Sequence, residues 1–453
     1  VSALVVLTLG TAARVRAQDD AVSLIIDLLK EDDKEVRAIA LDQVRTEAKG
    51  EAATQKFAEL LPTLAADAQV GLLRALAGRG DKAAAPAVRT IVAETKDDAV
   101  RVAAIEALGS LGSGDDVGAL VKVLAGGPQP AQAAARASLV RLSGDAASDA
   151  IVEQMQRGPT PQRVALIEIL ATRRAGVSEI LKAAVDDDPA VRTAAMTALG
   201  AIASPQEIPG LVQGVLKAKA GKERTAAERA VALVCQRVAD GRPQAKPLLD
   251  AIEAVPAADR NTLLPTLGRV GGSVALPVVE KAIQDTDPDV HTAGLTALCN
   301  WPDGAVASRL LELARTEEHA EHRTLARKAL IRIAPLPDAR SDQRRLDLVR
   351  TTFAMCQDDA ERKLVLERAK SVRTMETLRY IAAYLDDPKF AEQACETVVE
   401  LAHHRGLREP NKAEFDPLLD RVVAISKDAT VVDRAERYKK GETWNRPKAG
   451  ESP

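Results

Sequence analysis

Between residues 188 and 200 the chain sets Val191, Ala194, Ala195, Ala198 and Leu199 at intervals of three and four. That spacing lays one apolar stripe along a helix. Asp188 stands where a side chain accepts from first-turn N–H groups. Pro189 suits the first helical position, and Gly200 offers a residue able to end the helix in a left-handed conformation. The order returns along the chain. Asp33 precedes Val36 and Arg37, and Asp97 precedes Val100, Arg101, Ala103, Ala104, Ala107, Leu108 and Gly109. Asp287 precedes Val290 and His291, so histidine takes the place of arginine, while Asp387-Pro388 keeps the start without the basic residue. The basic positions 37, 101, 192 and 291 lie 64, 91 and 99 residues apart. These are close to two, three and three multiples of about 31–33 residues, a period that signals stacked two-helix units.

Twelve such pairs are expected, with first helices starting near 33, 67, 97, 129, 161, 188, 222, 257, 287, 319, 358 and 387, preceded by one helix near 21–30. Turn-forming clusters separate the helices, among them Gly78-Arg79-Gly80-Asp81, Gly112-Ser113-Gly114-Asp115 and Ser204-Pro205. No alternating strand pattern of useful length occurs. Two longer connections, 334–342 and 404–412, break the rhythm, and Thr430–Lys440 reads as a charged closing helix.

The run Asp-x-x-Val-Arg-x-x-Ala-x-x-Ala-Leu-Gly at 188–200, with its copy at 97–109, resembles the HEAT-repeat family in its short bacterial form. The resemblance implies an all-α fold, a right-handed α-solenoid of about twelve stacked helix pairs. It covers about residues 20–435. It carries little about function, because such repeats serve unrelated roles.

Val1–Gly10 is an apolar run of signal-peptide length, and Val15 and Ala17 are small residues before Gln18. The expected organisation is therefore a signal-peptide remnant over 1–17, the repeat array over 18–440 and a disordered tail over 441–453. Export to the periplasm or cell exterior follows as an expectation, with a cytoplasmic chain as the alternative. The run is too short for a membrane span, so none is expected in the mature chain.

Composition narrows the chemistry. Apolar residues make up 46 % of the 453 but aromatics only 2 %, so the core must be built from Ala, Leu, Val and Ile. Net charge is −3, against a general polyanion binder, and no nucleic-acid partner is expected. Charge is uneven. Residues 18–70 hold 12 acidic and 6 basic side chains, and 323–350 hold 8 basic and 3 acidic. Solvated faces are one reading; docking patches of opposite sign are the other.

Asp33, Arg37, Asp97, Arg101, Asp188, Arg192, Asp287 and His291 form the most regular polar series. They are expected as a structural ladder, each basic residue bonding an aspartate of its own or a neighbouring repeat. Cys235, Cys299, Cys356 and Cys395 show no C-x-x-C spacing and read as buried thiols, although a Cys356–Cys395 bridge is conceivable in an oxidising compartment. His319 and His322, beside Glu318 and Glu321, lack a third fixed ligand and read as a solvated helix start; no metal or cofactor site is assigned. Nucleophile and phosphate-binding motifs are absent, so no catalytic residue is assigned.

If a partner docks, Tyr380, Tyr384 and Trp301 are the candidate anchors, since aromatics are enriched in hot spots, with Arg340, Arg344 and Arg345 in the basic stretch. The reading that follows is a non-enzymatic protein-interaction scaffold or accessory subunit of an extracytoplasmic assembly. Two alternatives stay open: a chromophore-handling protein of the phycobilin-lyase type, whose members carry similar repeats, and a repeat fragment of a larger enzyme.

Overall fold

A computed structural model describes residues 19–237 and 245–444. The expected signal peptide and the tail beyond Trp444 lie outside these residues. Every regular element among the described residues is helical. The chain divides into two compact units, one up to Ala230 and one from Val231.

In the first unit a leading helix over 19–29 precedes six helix pairs: Lys34–Thr46 with Glu51–Ala58, Ala66–Arg79 with Ala85–Glu94, Asp98–Leu111 with Val117–Gly126, Gln129–Arg141 with Asp145–Arg157, Thr160–Arg173 with Val177–Ala183, and Pro189–Ile202 with Ile208–Lys217. Lys222–Cys235 runs across the boundary. The second unit holds Lys246–Ala254, then the pairs Ala257–Val270 with Leu276–Ile283, Pro288–Cys299 with Ala307–Thr316, Ala320–Ile333 with Asp342–Met355, Asp359–Ala369 with Met375–Ala382, and Ala391–His403 with Lys412–Ile425, and finally Ala429–Lys439. Within each unit, first helices pack against the first helices of the next pair and against the second helix of the preceding pair. The core is aliphatic as composition requires, with Val100, Ala104, Val191, Ala195, Leu199, Leu267 and Leu298 fully buried.

The caps explain why the helices begin where they do. Asp33, Asp97 and Asp287 each accept from two first-turn N–H groups, and Asp188 accepts from Ala190 N. The twelfth start differs from expectation. Asp387 accepts from Lys389 N at 2.9 Å, but this closes only a turn, and the helix starts at Ala391. The connection expected over 404–412 is also not a loop. It folds into a short helix, Arg405–Arg408, and a 3-10 turn, Glu409–Asn411. Arg408, 1 % exposed, anchors it by donating to Ala402 O at 2.8 Å.

The glycine closing the sequence motif does not end its helix. Gly200 lies inside Pro189–Ile202, and its φ is not positive. It permits close approach instead: a Cβ there would stand 3.1 Å from Ala230 Cα, and one at Gly109 would stand 2.8 Å from Ser138 Cα. Gly268 is the tightest of the three, since a Cβ would fall 1.9 Å from the Ala297 carbonyl oxygen. Gly268→Ala gains about 1 kcal/mol of helix propensity. It must also push a neighbouring backbone aside, which places overpacking near the upper end of ~1–3 kcal/mol. Thermal melts should therefore show Gly268→Ala destabilised by ~1–2 kcal/mol. Gly118→Ala, on an exposed helix face with nothing within 4 Å, should instead stabilise by ~0.5–1 kcal/mol.

Candidate functional site

The polar series bonds only partly as expected: Arg37 reaches Asp67 of the next repeat and Arg101 reaches Asp98 of its own, but neither bonds a cap aspartate. Arg192 does not pair with Asp188. Its guanidinium donates to the carbonyls of Asp186 and Asp187 at 2.7 and 2.9 Å, and its Nε pairs with Glu223 in the first turn of the next first helix at 2.7 Å. Arg37 does the same with Glu31 O, Asp32 O and the Asp67 carboxylate. Arg101 reaches Thr95 O and Asp98, and Arg323 reaches Glu317 O and Glu318 O. Each arginine thus takes up carbonyls just before its own helix, where the preceding segment leaves them unbonded. The aspartates are occupied as caps and have no need of the arginines.

A second arginine series was not legible in the motif. Arg79, Arg173 and Arg332 end or nearly end first helices, and each reaches back one repeat. Arg79 donates to Val44 O and Glu47 O, both at 2.8 Å; Arg173 to Leu139 O, Val140 O and Leu142 O at 2.6–3.0 Å; Arg332 to Cys299 O and Trp301 O at 2.9 and 2.7 Å. These are the carbonyls at or near the end of the preceding first helix, which also carries the negative end of its dipole. Burial lowers the pKa of all three guanidinium groups.

This use of arginine dissolves most of the basic stretch over 323–350 as a docking surface. Arg323 and Arg332 are spent on carbonyls, and Arg327, 6 % exposed, on Glu361 and Gln357. Arg340 bonds Asp338 at 2.6 Å, and Arg345 bonds Asp342 and donates to Pro335 O. Of the three arginines proposed as anchors, only Arg344 has an exposed side chain. Trp301 is likewise withdrawn. It is 1 % exposed, because the Asn-Trp-Pro turn folds its ring inward against Gly271.

The tyrosines stand elsewhere. Tyr380 lies on Met375–Ala382, a helix capped by Thr374, and Tyr384 falls in the turn just after it. Tyr384 packs at 5.0 Å from Phe353, 5.4 Å from Tyr380 and 6.0 Å from Phe390, ring centre to ring centre. Its hydroxyl donates to that of Tyr380 at 3.3 Å. The Arg350 guanidinium lies over the Tyr380 ring at 5.2 Å. Burial pushes the Tyr380 hydroxyl pKa well up, so the ring stays neutral and the face keeps the charge of Arg350. The chain has two Trp, three Tyr and four Phe. Four of those nine rings meet here, and all but Phe390 remain half-buried.

The histidines form a second gathering. His319 and His322 are joined by His291 from the preceding repeat and by Glu317, and one ligand-type atom from each of His291, Glu317 and His322 falls within 4.8 Å of the others. The sequence pointed to the pair but not to the other two, because His291 is 31 residues upstream of His322 and Glu317 sits outside the helix.

A family model described as HEAT repeats matches residues 57–140 and 148–232. The chain carries HEAT repeats over these residues. No curated protein sequence matches it. Among solved structures it is similar to a Kap121p mutant (12 % identity, TM-score 0.41, 93 % of this chain and 56 % of that one). It is also similar to importin beta in an ammonium sulfate condition (12 %, TM-score 0.40, 92 % and 68 %). Human deoxyhypusine hydroxylase in complex with glycerol matches at 18 % identity and TM-score 0.23, over 66 % of this chain and 99 % of that one. The chain thus spans little more than half the length of the Kap121p structure.

Two further features bear on chemistry. The four cysteines are buried and unbridged. Burial pushes Cys235 and Cys299 up to about 12 and Cys356 and Cys395 up to about 11, so these thiols are poor nucleophiles. An open trough of about 650 Å³ runs between Thr160–Arg173 and Pro189–Ile202, walled by Val164, Ala190, Ala194 and Ala198. Its polar rim is Glu168, which pairs with Arg136, and Glu223, which pairs with Arg192. Among the described residues no helix is long and apolar enough to cross a membrane.

Proposed function

We propose that this chain holds another protein without catalysing a reaction, as a scaffold or accessory subunit, and that the Phe353–Tyr380–Tyr384–Arg350 face is where it docks. The supporting observation is the concentration of half-buried rings, in a chain so poor in aromatics, at one place beside a cation. Tyrosine and arginine in a partly desolvated setting are the residue types that dominate binding energy at protein interfaces. An extracytoplasmic location belongs to the same proposal and rests on the apolar run Val1–Gly10.

The test uses the full chain as bait in extracts of its source, followed by affinity measurement on the protein captured. Tyr384→Ser should weaken that complex by about 30-fold or more, the scale of a hot-spot residue. Far-UV circular dichroism and the melting temperature establish that the variant is folded. A folded Tyr384→Ser chain that holds the partner at parental affinity would move the docking face elsewhere. A visible chromophore co-purifying with the chain would instead favour the phycobilin-lyase-type reading.

A further inference from the structure

The repeat grammar locates the chain's most unusual polar cluster. In the repeat starting at 188, the cap is Asp188, the inward residue three later is Val191, and the carbonyl-binding residue is Arg192. In the repeat starting at 287, the third of these positions is His291. In the next repeat the first two are His319 and His322, while Arg323 keeps the third. Three of the chain's five histidines thus replace structural residues of the repeat, at neighbouring places in two successive units. His319 caps nothing with its side chain. His322 puts a polar ring where Val191 is fully buried. Stability alone favours neither exchange.

The geometry shows what the exchanges produce. His291 Nδ1 lies 2.6 Å from Ile283 O. A carbonyl only accepts, so Nδ1 carries the hydrogen and the neutral ring presents its lone pair at Nε2. That Nε2 is buried without a hydrogen-bond partner, and so is His322 Nδ1. Both face the same oxygen, Glu317 Oε1, at 3.6 Å. The Glu317 side chain is 9 % exposed. His322 Nε2 lies 3.3 Å from Thr292 Oγ1, a partner on the preceding repeat that orients the ring.

Ion pairing does not account for this arrangement. A protonated ring bonded to the carboxylate would stand at about 2.7–2.9 Å, not 3.6 Å. Two imidazolium rings whose centres are 5.3 Å apart would also repel. A cation between the three groups fits better. Zinc bound tetrahedrally at about 2.0–2.1 Å places its ligand atoms about 3.3 Å apart. Both carboxylate separations lie within a few tenths of an ångström of that edge, and the two ring nitrogens lie within 4.8 Å of each other. We infer that His291 Nε2, His322 Nδ1 and the Glu317 carboxylate bind a zinc-class divalent cation that clamps two consecutive repeats, with a fourth position left for water. Two imidazoles and one carboxylate suit this borderline-soft metal better than calcium or magnesium, which take oxygen sets. The backbone carbonyl behind His291 is the usual outer partner of a metal-bound imidazole.

The repeat itself supplies the controls. His291→Arg restores the residue that bonds carbonyls in the sister repeats and keeps a cation opposite Glu317. His322→Val restores the inward valine. Both should fold, and without metal both should melt at or above the parental temperature. The full chain, stripped with chelator and titrated with zinc chloride in a calorimeter, should bind one zinc per chain and melt at a higher temperature when loaded. His291→Arg, His322→Val and Glu317→Gln should each weaken zinc binding by at least about 100-fold, beyond the cost of losing an outer-sphere group, and should lose the zinc-induced rise in melting temperature. Cobalt chloride added to the stripped parent should give the intense visible bands of four-coordinate cobalt, and those bands should be missing in the variants. A parent chain that takes up no stoichiometric zinc, or variants that bind as the parent does, would overturn the assignment.

Discussion

A chain carrying Val191→Asp should lose about 3–5 kcal/mol of stability, and its first unit should open well before the second. Val191 is fully buried at the start of Pro189–Ile202. A carboxylate there is taken out of water without a counter-ion, because the adjacent Arg192 is already committed to two carbonyls and Glu223. The same exchange at Val185, which is 40 % exposed, should change stability by no more than ~0.5 kcal/mol. Hydrogen exchange read by mass spectrometry checks both the size and the place, with protection falling first in peptides around 177–217. Acidification should narrow the deficit. A buried carboxyl has a raised pKa in the folded state, so the folded variant gains protons, and stability, as pH falls through that value. A Val191→Asp chain melting with the parent would mean that this face of the helix does not pack inward.

Arg192→Ala should cost ~3 kcal/mol, through a different mechanism. The substitution leaves the Asp186 and Asp187 carbonyls without their donor and strips Glu223 of its cation. Replacing both members, as in Arg192→Met with Glu223→Met, should recover part of the loss, because no lone charge is then left behind. The pH dependence has a definite sign. Burial raises the Glu223 pKa, but the Arg192 bond and charge together with the Lys219 backbone N–H and charge outweigh it, and the pKa is held below the usual glutamate value. The pair therefore contributes fully above about pH 4.5 and fades as pH falls through the folded-state value. Denaturant titrations of parent and variant should converge on acidification and stay apart at neutral pH.

How much of this was readable beforehand depended on how local each signal is. Capping by Asp33, Asp97, Asp188 and Asp287 is settled within three residues, and their helices begin where the motif puts them. Asp387 carries the same local signal, but the buried Phe390 follows it and the helix begins one turn later. Gly200 was misread because a helix-ending glycine and a close-contact glycine look alike in sequence; only the distance to Ala230 separates them. Trp301 was misread for a similar reason, since a tryptophan in a polar turn gives no sign of which way its ring folds. Arg79, Arg173 and Arg332 carry no local signal of their role, their partners being carbonyls a whole repeat upstream. The histidine cluster was half visible. His319 and His322 share a helix start, but their other partners come from a preceding repeat and from an interhelical loop.

Those arginines carry a consequence for the history of the chain. Arg79, Arg173 and Arg332 recognise chiefly carbonyl oxygens of the preceding unit, which every amino acid possesses; the Thr54 and Ser148 hydroxyls are the side chains that Arg79 and Arg173 also reach. A fastener of this kind makes few demands on the unit that stands before it. Segments of about one period can then be copied, deleted or exchanged by recombination without rewriting their neighbours. Copy number becomes an inherited variable separate from the identity of any one unit. At the histidine-bearing pair, by contrast, several side chains face each other across one particular junction, so that junction must be passed on as a single block.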